Sequence, residues 1–413
     1  MFVSRSNEQT SARRAAVGWD DLRAHNTSLL LRSAWHAEGA SRADLARQTG
    51  LSRATVSDIV TGFLDAGVVE ETEEPTPRAP AGGRPPTVLR FVDGCRNIVG
   101  IELGATHYDV VRTDLRGRVL DRVAAEADMS DPAGLLQALA AHAAAVVGGS
   151  TVPVIGVGLA LPSPLRTVDG ARLSPRLFPA WEGIDVAVAL RDALGLPIDA
   201  DNDANLGALA EHWWGAGRGV QDLAYIKVAT GVGAGILIGG EIHRGASGIA
   251  GEIGHTSIDP LGARCRCGLT GCLEALVGTS YLLARAPGPG APETVAGLIA
   301  AARAGEPAAV GLVTDAGRHL GTAVANLVNL VNPARVILGG RLTDAADILL
   351  PALREALAAR ALWTSVAGSE VRVGALGDDA IAIGAATAIL RAALRDPARL
   401  LPPAPIHPVS RYP

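Results

Sequence analysis

Three of the four cysteines in this 413-residue chain fall within one short stretch: Cys265, Cys267 and Cys272. Gly268 and Gly271 punctuate that stretch and let the backbone fold back so that the thiols converge. His255, ten residues before Cys265, completes a Cys₃His set, a common tetrahedral arrangement for structural zinc. Four protein ligands leave no open position, so such a zinc holds the fold and does not activate water. The competing reading is three buried free thiols, which this spacing disfavours; other divalent ions also suit the same donors. Four cysteines in so long a chain do not make a disulfide scaffold, and a thiol cluster points to a reducing compartment. Cys95 stands apart and reads as a small buried residue.

The stapled loop sits inside a long α/β pattern. From Ile98 onward, strand-like runs at 98–103, 108–113, 153–160, 223–228, 234–238 and 335–338 interleave with Ala-rich helical runs at 132–147, 184–194, 204–214, 293–304, 308–330 and 344–361. Hydrophobic residues at 48% and charged residues at 19% are enough for large cores and exclude global disorder. A Pro/Gly-rich break at 75–86 separates this region from a shorter helical one. The expected division is an arm at 1–25, a helical domain at 26–90, two lobes at 91–205 and 206–400, and an irregular tail at 401–413. The start of the chain is polar, and no window approaches the ~18 apolar residues of a membrane span, so a cytoplasmic protein with no membrane partner is expected.

The N-terminal region has the spacing of a helix-turn-helix. Leu29, Leu30, Leu31, Ala34 and Trp35 make the stripe of a first helix over 26–37. Ser41 opens a second, with Asp44 placed for a capping box, and Gly50 is a natural stop. Ser52 caps a third, whose buried stripe is Val56, Ile59, Val60, Phe63 and Leu64. Residues 67–70 and 87–90 then pair as a wing. A helix of this kind presents its N-terminal residues to base edges in the major groove. The expected DNA-facing set is Ser41, Ser52, Arg53, Thr55 and Ser57, with Arg84 reaching a minor groove. Charge adds little: residues 1–68 hold 8 basic and 7 acidic groups, and the whole chain is −5. Aromatics are only 3%, which disfavours base stacking. A small helical bundle for protein contacts is the bland alternative.

Glycine-rich turns follow several strands: Gly104-Ala105-Thr106, Thr230 to Gly235, and Gly339-Gly340. Such turns expose backbone N–H groups to phosphates, although each alone is also an ordinary tight turn, and none matches a dinucleotide fingerprint. Asn202-Asp203-Ala204-Asn205 lies between a strand-like run and a helix. There Asp203 suits polyol binding or general-base work, and helix capping is the bland alternative. Glu252 and Glu274 flank the His/Cys set, as sugar-binding carboxylates or as support for the metal.

Together these segments resemble the ROK family of repressors, open reading frames and sugar kinases, over nearly the whole chain and most closely in its regulator branch. Gly100 to Thr106, Asn202 to Asn205, Thr230 to Gly235 and Gly251 to His255 with Cys265, Cys267 and Cys272 carry the likeness. The resemblance implies an α/β chain with an N-terminal winged helix-turn-helix and a two-lobed, actin-like ATPase domain. It implies that Asn202, Asp203, Glu252, His255 and Glu274 face a sugar, with His255 also on zinc. In the family's kinases the residue matching Asp203 is the base. Residues 102–106 and 230–235, including Gly104, Thr106, Thr230, Gly231 and Gly233, would face ATP phosphates, and Gly339 and Gly340 the adenosine side. Here Glu102 replaces the usual Asp, Ala105 and Ala229 replace glycines, and His107 replaces a common Lys. Pro162-Ser163-Pro164 also lacks the usual Pro-Gly turn. The longer Glu102 crowds magnesium and phosphate where ~1 Å matters. ATP and magnesium use is therefore disfavoured, while the sugar set is complete.

The expected function is a sugar-responsive DNA-binding regulator, a repressor of carbohydrate genes. It would act as a homodimer or homotetramer on a double-stranded operator, in answer to a sugar or sugar phosphate. The alternatives are an ATP-dependent hexose kinase with Asp203 as base, and a protein that does both.

Overall fold

The computed structural model describes residues 18–72, 87–165, 170–286 and 291–401. The chain divides into two compact units, one running to Val92 and resuming at Ala392, the other spanning Asp93–Arg391.

In the first unit, α1 (Trp19–His36), α2 (Arg42–Thr49) and α3 (Arg53–Asp65) precede a two-stranded antiparallel sheet of β1 (Val69–Thr72) and β2 (Val88–Phe91). Helix α1 starts within the stretch read as an arm. Ser41 caps α2 by accepting from Asp44 N, the Asp44 carboxylate reaches back to Ser41, and Gly50 ends the helix at φ 73°. The Ser52 hydroxyl accepts from Thr55 N to start α3. Leu30, Leu31, Leu45, Val56, Val60 and Phe63 form the core, all but fully buried, whereas Leu64 is half-buried. The Ser28 hydroxyl donates to Leu394 O at 2.9 Å, which fastens α1 to the segment that resumes this unit at Ala392. The 75–86 stretch with Arg84, and 402–413 of the tail, lie outside the described residues.

The second unit holds two five-stranded sheets built on one plan. In the first, β3 (Asn97–Leu103), β4 (His107–Thr113) and β5 (Val119–Glu126) form an antiparallel meander, and β6 (Val154–Leu161) and β7 (Ile198–Asn202) extend it in parallel, in the order β5-β4-β3-β6-β7. The second repeats this with β8 (Leu223–Val228), β9 (Val232–Ile238), β10 (Glu241–Ile242), β11 (Arg335–Gly339) and β12 (Glu370–Val373), in the order β10-β9-β8-β11-β12. Helices α4 (Pro132–Gly148) and α5 (Val186–Leu194) pack on the first sheet. Helices α7 (Glu274–Val277), α8 (Thr279–Arg285), α9 (Val295–Arg303), α10 (Pro307–Val331) and α11 (Ala346–Arg360) build the core over the second, with α12 (Trp363–Gly368) beside them. Among the described residues no single helix is long and apolar enough to cross a membrane.

Two helices run alongside both sheets: α6 (Asp203–Trp213) and α13 (Ala380–Arg395). Gly100 on β3 and Gly158 on β6 are ladder partners, and α13 lies directly against them. A Cβ on Gly100 would stand 1.9 Å from Ala382 O, and one on Gly158 1.9 Å from Ala385 O. Only glycine admits a helix backbone so close to the sheet.

Candidate functional site

The turns at the ends of β3, β7 and β8 converge on one cleft. Gly104, Ser163, Asn202, Asp203, Lys227, Thr230, Gly231, Gly233, Glu252, His255, Arg266 and Glu274 all line it. The five residues expected to face a sugar therefore share a single cavity.

They are not equally free. Asn202 caps α6: its Oδ1 accepts from Ala204 N at 2.9 Å and Asn205 N at 3.3 Å, and its Nδ2 donates to Ser163 O at 3.2 Å. Asp203 Oδ1 accepts from Ala204 N at 2.7 Å, and its Oδ2 accepts from Lys227 Nζ at 2.7 Å. Glu274 is buried and accepts from Val232 N at 3.0 Å and Arg266 Nε at 2.8 Å. Glu252 pairs with no cation among the described residues. Burial, with the nearby Asp203 and Glu274 carboxylates, pushes it up to about 7. It is the carboxylate most open to a ligand.

His255 belongs to this cavity and to the thiol cluster. Its Nδ1 lies 3.8 Å from Cys265 Sγ, and Cys267 Sγ lies 3.7 Å from Cys272 Sγ. One ligand atom from each of His255, Cys265, Cys267 and Cys272 falls within 4.8 Å of all the others. Tetrahedral zinc, with bonds of about 2.3 Å to sulfur and about 2.0 Å to nitrogen, sets its donors about 3.5–3.8 Å apart. The donor set and these separations fit that ion. Burial and the facing Cys267 and Cys265 sulfurs push Cys272 up to about 12, so three thiols this close call for a cation to become thiolates. Cys95, half-buried, lies outside the cluster.

A second cavity adjoins the first and shares His107, Lys227, Ala229 and Thr230 with it. Thr106, Glu102, Asp109, Gly340, Arg341 and Asp378 line it. Of the residues expected at phosphates, Gly104, Gly231 and Gly233 face the first cavity, Thr106 the second, and Thr230 both. Gly340 also lines the second cavity. Gly339 packs against Tyr225, where a Cβ would stand 2.0 Å from Oη. Sequence reasoning passed over Lys227 and Arg266. Lys227 did carry a signal, being the single lysine of the chain, at the end of the strand before a glycine turn.

In the first unit, Ser52, Arg53 and Ser57 are exposed and Thr55 is half-buried at the start of α3. Ser41 is buried, with its hydroxyl donated to Asp44 at 2.6 Å, so it sets the start of α2.

A model described as "ROK family" matches residues 98–392. The xylose repressor of Caldicellulosiruptor bescii is 28% identical over 382 residues, covering 88% of this chain and 94% of that protein. A glucokinase of Halalkalibacterium halodurans is 33% identical over 307 residues, covering 69% and 92%. A crystal structure of a ROK family transcriptional regulator, a homologue of E. coli Mlc, superposes with a TM-score of 0.77 at 26% identity, covering 92% of this chain and 98% of that one.

Proposed function

This chain belongs to the ROK family, and we propose that it is a sugar-responsive DNA-binding repressor of carbohydrate-metabolism genes. One observation carries the reading. A three-helix unit with a β-wing, whose α3 begins on a capped and exposed Arg53 face, shares a chain with a carboxylate-lined cavity. The repressor and the regulator structure align with nearly all of the chain, whereas the glucokinase aligns with 69% of it.

Arg53, Thr55 and Ser57 of α3, with its N-cap Ser52, contact an operator. Asp203, Glu252 and His255 accept or donate hydrogen bonds to a sugar, with Asn202 and Glu274 holding the cleft around it. His255, Cys265, Cys267 and Cys272 hold structural zinc, which fixes the loop that carries Glu252 and precedes Glu274. The cytoplasm keeps those thiols reduced. The repressor acts as a symmetric homo-oligomer on paired half-sites about 34–36 Å apart. Sugar changes DNA affinity only as far as it binds one state of the protein better.

The test is fluorescence anisotropy of the purified protein with duplexes selected from a random pool, titrated with D-xylose and D-glucose. A roughly 5–150-fold change in DNA affinity with one of them and no nucleotide is expected. Failure to enrich any duplex, or ADP and sugar phosphate forming from Mg·ATP, overturns the reading in favour of a hexose kinase with Asp203 as base.

A further inference from the structure

A cavity that binds a neutral sugar through carboxylates has no need of a buried ammonium. Yet the only lysine among 413 residues stands in its wall. Lys227 Nζ lies 2.7 Å from Asp203 Oδ2 and 3.2 Å from Glu102 Oε1. The three residues are 8%, 7% and 2% exposed. They come from the end of β8, the start of α6 and strand β3, so the cluster ties the two sheets together at the boundary between the two cavities.

Two buried carboxylates at this distance need a cation between them. A phosphoryl transfer to a hydroxyl held by Asp203 would bring that cation in from outside, as magnesium bound to a polyphosphate. Here the space beside Asp203 Oδ2 already holds a fixed charge. We propose that Lys227 is a built-in counter-ion: clamped between Glu102 and Asp203, it replaces an external divalent cation and fixes Asp203 as a hydrogen-bond acceptor, so that the cavity binds an uncharged, unphosphorylated polyol with neither metal nor nucleotide.

Two further observations support this. Burial favours the neutral amine, but the adjacent Asp203 and Glu102 outweigh it and push Lys227 up, so it stays charged. In the first cavity Lys227 is paired with Asp203 and Arg266 with Glu274, so neither of these cations is left free to take a phosphate ester. The proposal rests on the sugar-site reading above, and its metal arm needs no sugar.

The experiment compares wild type, Lys227→Met and Lys227→Met/Glu102→Gln, with the thermal midpoint and the affinity for D-xylose and D-glucose as readouts. Each is measured with and without MgCl2 and Mg·AMP-PNP. Wild type is indifferent to both additions. Lys227→Met melts lower and binds sugar about tenfold or more weaker, and Mg2+ restores both, because it enters between the two stranded carboxylates. The double variant, which removes one of those charges, recovers its midpoint without Mg2+. A merely structural lysine would show no rescue by a divalent ion. Wild-type sugar binding tightened about tenfold by Mg·AMP-PNP overturns the proposal. So does a Lys227→Met protein that neither Mg2+ nor Glu102→Gln improves, or a double variant that still fails to fold. Wild type blind to both sugars removes the sugar reading, while the Mg2+ arm still judges Lys227.

Discussion

Replacing Cys272 by serine tests whether the thiol cluster supports the sugar cleft. Cys272 is fully buried, its sulfur lies 3.7 Å from Cys267 Sγ, and it precedes Glu274 by two residues. His255 on the other side of the set follows Glu252 by three. A structural zinc of this type is bound by about 10–16 kcal/mol, so an equal share for one of four ligands is about 2.5–4 kcal/mol. That corresponds to a loss of about 10²–10³-fold in zinc affinity. Competition with a chromophoric chelator reads it directly. Since Val232 N and Arg266 depend on Glu274, and Glu252 sits on the same loop, sugar affinity should fall with zinc occupancy and return when zinc is raised to saturation. Zinc held at wild-type affinity by Cys272→Ser would refute the ligand assignment. A variant that loses zinc and keeps its sugar affinity would refute the coupling between loop and cleft.

Arg53→Ala should weaken operator binding by about 1–3 kcal/mol if Arg53 reads a guanine, with sugar affinity unchanged; anisotropy and calorimetry on one preparation separate the two, and unaltered DNA affinity removes Arg53 from the interface. Gly158→Ala drives a methyl to 1.9 Å from Ala385 O, so α13 must shift or the sheet must yield. Overpacking of this kind costs about 1–3 kcal/mol or more, visible as a lower thermal midpoint, and an unmoved midpoint would mean that α13 lies farther from β6.

The elements most legible in the sequence were those with a local chemical signature. Ser41 with Asp44, Gly50 and Ser52 marked the ends of α2 and α3 because caps act over three residues. The all-buried runs of β3 and β8 read as strands for want of any polar face. Seven elements escaped, β5, β10, β12, α7, α8, α12 and α13, and three of them show why. Strand β5, Val119–Glu126, lies at the sheet edge and mixes Asp, Arg, Glu and Ala, residues that favour helices or turns when read alone. Strand β12 is a short edge strand with two charged residues. Helix α13 packs against both sheets and so lacks the polar stripe by which a helix is recognised. In the cleft, the five residues that the family resemblance implied at a sugar do line one cavity. How each is committed was not legible: the Lys227–Asp203 contact joins side chains 24 positions apart, and Lys227–Glu102 spans 125.

That difference bears on how a cleft with the groups of a kinase can serve a regulator. The carboxylates expected to bind hydroxyls are present, with Asp203 held in place by Lys227 and Glu274 by Arg266, while Glu252 pairs with no cation among the described residues. A general base must give up its partners to take a proton, whereas a receptor gains from holding its acceptors fixed before the ligand arrives. The side chains of this cleft are arranged in the second manner. Binding energy that an enzyme would spend on a transition state is then available to favour one arrangement of the two sheets over another. Differential affinity for two states is also all that a ligand needs to change how the chain holds DNA.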